Sequence, residues 1–110
     1  MAYDEELAER IRHALAGAQG CSEKRMFGGL AFLRNGNMAV AATNHGQMMV
    51  RVDPDRAEEL ITAPGVRRMV MKARELNGWV EADAVALERA EDLARWVDEG
   101  WAFAGTLPAK

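Results

Sequence analysis

The sequence predicts an α+β fold: an antiparallel sheet with flanking helices, in the order helix, three strands, helix, two strands, helix (α-βββ-α-ββ-α). Three observations carry this. A four-residue apolar period opens the chain, short apolar runs joined by an Asn-Gly turn follow, and a second amphipathic period closes it. The strands come in runs and do not alternate singly with helices, which argues against a parallel βαβ repeat.

Each element has its own signal. Tyr3, Leu7, Ile11 and Leu15 make one apolar stripe, with Ala8 and Ala14 beside it. Asp4 is placed to cap this helix, Glu5 and Glu6 suit its positive end, and Gly17 and Gly20 end it. Residues 22–27 read as an extended entry. Gly28-Gly29 then interrupts regular pairing and points to a bulge or a close backbone approach. Residues 30–33 and 38–42 are apolar runs around Arg34-Asn35-Gly36-Asn37, a strong hairpin signal because Asn and Gly tolerate positive φ. After a second turn at Asn44-His45-Gly46, residues 47–52 make the third strand of a meander. Met48, Val50 and Val52 fall on one face, and Met49 and Arg51 on the other.

Asp53-Pro54 opens a helix expected to reach about Ile61, and Ala63-Pro64-Gly65 stops it. Residues 66–71 and 76–82 read as two further strands across a charged turn. Asp83 is placed to cap the segment after them. Leu93, Trp96, Val97, Trp101 and Ala104 trace the apolar stripe of the last helix, closed by Gly105 and Pro108.

A length of 110 residues fits one domain, 1–110, with enough chain to bury a core without staples. The single cysteine, Cys21, allows no intrachain disulfide and fits a reducing compartment. The acidic N-terminus lacks the layout of a signal peptide, and no apolar run approaches the ~20 residues of a membrane span. A cytoplasmic location without membrane contact is therefore expected. Net charge is −3, which withholds the basic surface that duplex nucleic acid rewards.

No reaction is spelled out. His13 and His45 stand in no close ligand spacing with each other or with Cys21, so no metal and no cofactor are expected. Cys21 reads as a small hydrophobe, the alternative being a cysteine–histidine pair assembled by the fold. Gly28-Gly29 is followed by a strand and not by a helix, so it does not make a phosphate cradle. The run Arg67-Arg68-Met69-Val70-Met71-Lys72-Ala73-Arg74 is the most unusual stretch. As one strand it puts Arg68, Lys72 and Arg74 on one face, either as an anion or nucleic-acid contact or as a charged edge that resists aggregation. The acidic last helix, with Glu88, Glu91, Asp92, Asp98 and Glu99, is expected to counterbalance these cations within the chain or between subunits. The methionines fall within predicted strands and are assigned to the core. Of Trp96 and Trp101, one is expected to anchor the core and the other a subunit contact.

Lys24-Arg25-Met26-Phe27-Gly28-Gly29-Leu30-Ala31-Phe32, followed by Asn35-Gly36-Asn37-Met38, resembles the Met-Phe-Gly-Gly signature of the TfoX N-terminal domain family. Met49-Val50-Arg51-Val52, Pro64-Gly65-Val66, Asn77-Gly78-Trp79-Val80 and Leu93-Ala94-Arg95-Trp96-Val97 extend the resemblance over nearly the whole chain. The signature positions are thus Met26, Phe27, Gly28, Gly29, Gly78 and Trp79, and they mark a fold, not a reaction. The resemblance implies an α-βββ-α-ββ-α domain of bacterial type. It also implies a link to competence regulators, which carry a further C-terminal helical domain. This chain ends at Lys110, so that role is not expected to carry over whole. Two positions depart from the family: Ala73 stands where glycine is frequent, and Glu81 where an aromatic is common.

The functional expectation is a non-catalytic regulatory or protein-interaction module, a homodimer with a further protein partner. One alternative is a nucleic-acid-binding accessory protein using the basic strand 67–74, through Arg67, Arg68, Lys72 and Arg74. The other is a small-molecule-binding domain or enzyme with a pocket near Cys21 and Trp79, lined also by His45 and Arg51. It requires those four groups to converge on one concavity.

Overall fold

The structure is a computed structural model and describes residues 4–26, 28–43, 46–71 and 73–110. Helix α1 (Glu5–Ala14) leads into four strands, β1 (Cys21–Met26), β2 (Gly29–Arg34), β3 (Asn37–Ala42) and β4 (Met48–Arg51). A 3-10 turn (Pro54–Arg56) and the short α2 (Ala57–Leu60) follow. Then come β5 (Val66–Met71), β6 (Arg74–Ala82), a second 3-10 turn (Ala84–Ala86) and α3 (Ala90–Ala104). All six strands form one antiparallel sheet in the order β1-β2-β3-β4-β6-β5.

The expected class and order of elements hold, with one addition. The extended entry is itself a strand, paired with β2 along its whole length from Cys21↔Arg34 to Met26↔Gly29. Its sequence hides this because residues 21–25 are all exposed, so no apolar alternation marks it. It is the outer strand of the sheet, and its polar side chains suit an edge.

Local chemistry sets the joints. The Asp4 carboxylate accepts from Leu7 N at 3.0 Å and caps α1. Asn35 and Gly36 both take positive φ, 50° and 86°, as a two-residue hairpin turn requires. Gly29 lies so close to β3 that a Cβ there would strike the Ala42 carbonyl oxygen, which fixes glycine at that position. Asp53 accepts from Asp55 N at 2.9 Å, but the expected helix is a 3-10 turn plus one α-helical turn ending at Leu60. Asp83 precedes the second 3-10 turn without capping it. Its carboxylate is taken by Gln47 at 3.0 Å and Arg67 at 2.7 Å.

All three helices pack on one face of the sheet. Leu7, Ile11 and Leu15 of the first segment meet Leu93, Trp96 and Val97 of α3 over Leu30, Phe32, Val40, Met48, Val50 and Val80. Phe32 is fully buried there, a burial that contributes about 1.5–3 kcal/mol. Trp96 anchors this core. Trp101 packs against its edge under the Arg34 guanidinium, 5.4 Å from the ring centre, while Arg34 donates to Trp101 O at 2.9 Å. Trp101 is therefore held, partly exposed, at the edge of its own chain's core. After α3 the tail returns to the β2–β3 turn. The buried Asn37 amide donates to Pro108 O at 2.9 Å, and Lys110 N donates to Asn35 O at 2.8 Å.

Candidate functional site

Among the described residues, no helix covers the other face of the sheet. Alternation along each strand decides what it displays. In β2, Leu30 and Phe32 point to the helices, so Ala31 and Leu33 point away. In β4, Met48 and Val50 point to the helices, so Met49 and Arg51 point away. The register then lines up one row across the whole sheet: Lys24, Ala31, Ala41, Met49, Glu81, Arg67. A second row holds Ser22, Leu33 and Met38 from the β1 side and Arg51 and Trp79 from the β6 side.

The centre of this face is apolar. Ala31, Ala41 and Met49 are buried, and Met26, Leu33, Met38, Met69 and Trp79 lie around them partly exposed. Assigning the methionines to the core is thus right for Met48 and incomplete for Met26, Met38, Met49 and Met69. Met26, Met38, Met49 and Met69 form a second, helix-free cluster. The Arg51 guanidinium sits 5.5 Å from the Trp79 ring centre and covers part of its face. Both residues were expected at a site, and they do meet. The pattern was readable from Met49 and Arg51 opposing Met48 and Val50; that nothing covers their face was not.

The charged end of the face is internally paired. Arg67 pairs with Glu81 at 2.8 Å and with Asp83 at 2.7 Å. That guanidinium lowers the Asp83 pKa, and the two carboxylates in turn raise that of Arg67. The basic run is consequently not one strip. The strand ends at Met71, a turn passes through Ala73 at φ 64°, and Arg74 begins β6. A register shift between Arg68 and Val70 breaks the alternation. Arg68 opposes Val80 on the helix side, 3.7 Å from Glu58, whereas Arg67 faces the open side. The partners of Arg67 and Arg68 come from α2, β6 and the turn after it. The expected counterweight from the last helix is not what holds them. Its Glu99 pairs with Arg56 instead.

The pocket reading fails geometrically. Cys21 opposes Arg34 on the helix side of edge strand β1, while Arg51 and Trp79 lie on the opposite face with β2 and β3 between. Desolvation, followed by the nearby Glu23 carboxylate, pushes the Cys21 thiol above its ordinary value, which disfavours the thiolate a nucleophile needs. Phe27, His45 and Lys72, each named as a site residue above, and Tyr3 of the first apolar stripe lie outside the described residues. His13 is exposed on α1. Among the described residues no cluster of three metal-ligating side chains occurs, and no helix is long and apolar enough to cross a membrane.

Among the clefts of the helix layer, two lie between helices. A groove of about 550 Å³ between α1 and α3 is lined by Glu6, Glu9, Arg10, His13 and Leu93. A polar cleft of about 380 Å³ between α2 and α3 contains Arg56, Arg95, Trp96 and Glu99, where Arg56 is already held by Glu99 and Glu59. Neither cleft gathers a nucleophile with a base.

The model of the TfoX N-terminal domain family matches residues 13–104. The matched span contains all six strands, α2 and α3. No curated protein and no solved structure matches the chain.

Proposed function

The chain belongs to the TfoX N-terminal domain family, and on that footing we propose that it is a non-catalytic protein-interaction module working through the helix-free face of its sheet. The observation that supports this is the apolar cluster of that face, five partly exposed large side chains around buried Ala31, Ala41 and Met49. Sheets bury their apolar faces against another layer, and a contiguous exposed apolar patch marks a contact surface. Methionine and tryptophan suit such a surface, one by its flexibility and the other by its large rigid area. The regulatory half of the reading rests on the family alone. The non-catalytic half rests on the separation of Cys21 from Arg51 and Trp79 described above.

The test is capture of binding proteins by the tagged chain, from its host's lysate and from a solution of the untagged chain, with nuclease present. Leu33→Glu puts a charge among the partly exposed side chains of the apolar cluster. The expected result is a protein partner held by the original chain and lost by the variant. Equal capture by both would remove the sheet face from the proposal. Reproducible turnover of a metabolite would remove its non-catalytic part.

A further inference from the structure

Resting on that reading of the open face, we infer that its partner is the same face of a second copy of this chain. The two-fold axis runs nearly along the strands, between β3 and β4. Three features lead to this arrangement.

The first is size. Five strand spacings of ~4.8 Å give a width of ~24 Å, and six residues of strand give a length of ~20 Å. The face projects to ~480 Å² per copy, about 1,000 Å² for a pair before side-chain relief is added. That reaches the ~1,000 Å² a specific interface needs. Two sheets stacked face to face at ~10 Å are a standard way to close such a layer.

The second is shape. Rotation about this axis lays each row of one copy on the same row of the other, read in reverse. Met49 and Ala41, each 5% exposed, then fall over one another at the centre, beneath the partly exposed side chains that make the contact. Leu33 meets Trp79, and Met38 meets Arg51 where that guanidinium covers Trp79.

The third is charge. The same rotation lays Lys24 on Arg67 of the second copy, a guanidinium already paired with Glu81 and Asp83, so that Lys24 meets a group of +1 −1 −1, a net −1. An axis at right angles to the strands matches less well. It sets Glu81 against Trp79 and leaves Lys24 opposite Ser22, where no charge answers it.

The experiment is sedimentation equilibrium together with crosslinking. The original chain is expected to show the dimer mass, Leu33→Glu the monomer mass, and Val85→Glu, on the exposed 3-10 turn of the helix side, the dimer mass. Circular dichroism of Leu33→Glu checks its fold. If it unfolds, Trp79→Lys is expected to give the same monomer mass. For the axis, Lys24→Cys and Glu81→Cys are made separately in a Cys21→Ser background. The two proteins are mixed and treated with a bis-maleimide shorter than the ~19 Å that four strand spacings put between these positions in one chain. A crosslink in the mixture, with none for Lys24→Cys alone, supports the arrangement. A crosslink for Lys24→Cys alone means the other axis and overturns it. A monomeric original chain overturns the second-copy inference. If Leu33→Glu still loses a different lysate protein, the interaction proposal stands without it. A dimer untouched by both face variants overturns the inference as well.

Discussion

Gly100 tests how tightly the helix layer is set on the sheet. It lies in the middle of α3, where alanine is favoured over glycine by ~1 kcal/mol. Propensity alone therefore predicts that Gly100→Ala stabilises the chain. The packing opposes this. An added Cβ would overlap the Ala39 carbonyl oxygen and stand 2.8 Å from Val40 Cγ1. Ala39 occupies the irregularity in β3, opposite the register shift between Phe32 and Leu33, and is fully buried. A sheet carbonyl cannot swing aside like a side-chain tip, so α3 must lift or β3 must bend. Overpacking of this kind costs about 1–3 kcal/mol, and a backbone obstacle places it at the upper end. With ~1 kcal/mol returned by propensity, the net loss is about 2 kcal/mol. At ~4–8 °C per kcal/mol for a domain of this size, the unfolding midpoint should fall by roughly 10 °C. Thermal unfolding followed by circular dichroism reads it, with a urea titration to show that the slope is unchanged. A midpoint equal to or above that of the original chain would refute the argument and mean that α3 rides loosely over β3.

Two further predictions concern the turns and the surface pairs. Ala73 holds φ 64°, and a left-handed alanine is strained by ~1–2 kcal/mol. Ala73→Gly should raise stability by up to about 1 kcal/mol once the added freedom of the unfolded chain is deducted, and a lower urea midpoint would contradict this. Arg12 holds Glu23 at 2.7 Å, and a hydrogen bond from that guanidinium lowers the Glu23 pKa, as Arg67 lowers that of Asp83. A depressed carboxylate adds stability above its unfolded pKa, ~4, and that stability is lost as pH falls through the lower folded value. These pairs are solvent-screened, so Arg12→Ala should cost no more than ~1 kcal/mol at neutral pH, and the gap to the original chain should close in acid. A gap that widens below pH ~4 would reverse the assignment.

Local chemistry carried most of the secondary structure. The Asp4 cap, the Asn35-Gly36 turn and the opposed faces of β4 depend on neighbours in sequence, and all were legible before any fold was known. Gly29 was legible as a close approach, though the Ala42 carbonyl it approaches was not. Two features were less legible. The strand 66–71 and the charged turn after it were readable, but grouping the cations of 67–74 on one strip ignored that turn, which Ala73 makes in a conformation alanine rarely adopts. The entry before Gly28 read as extended, but not as a paired strand, because an edge strand with residues 21–25 all exposed has no apolar period to display.

The sequence by itself determined the class, the order of the elements and which residues share a face of each strand. These come from backbone sterics and from the periods of helix and strand. Only the tertiary structure decided that all three helices take the same side of the sheet, that Cys21 and Trp79 lie on opposite faces, and that Arg67 is neutralised by Glu81 and Asp83. The physical reason is that alternation divides a strand into two faces without naming the one that is covered. Leu30 and Phe32 on one side of β2, and Ala31 and Leu33 on the other, are all apolar. The choice between them was made by where α1 and α3 pack.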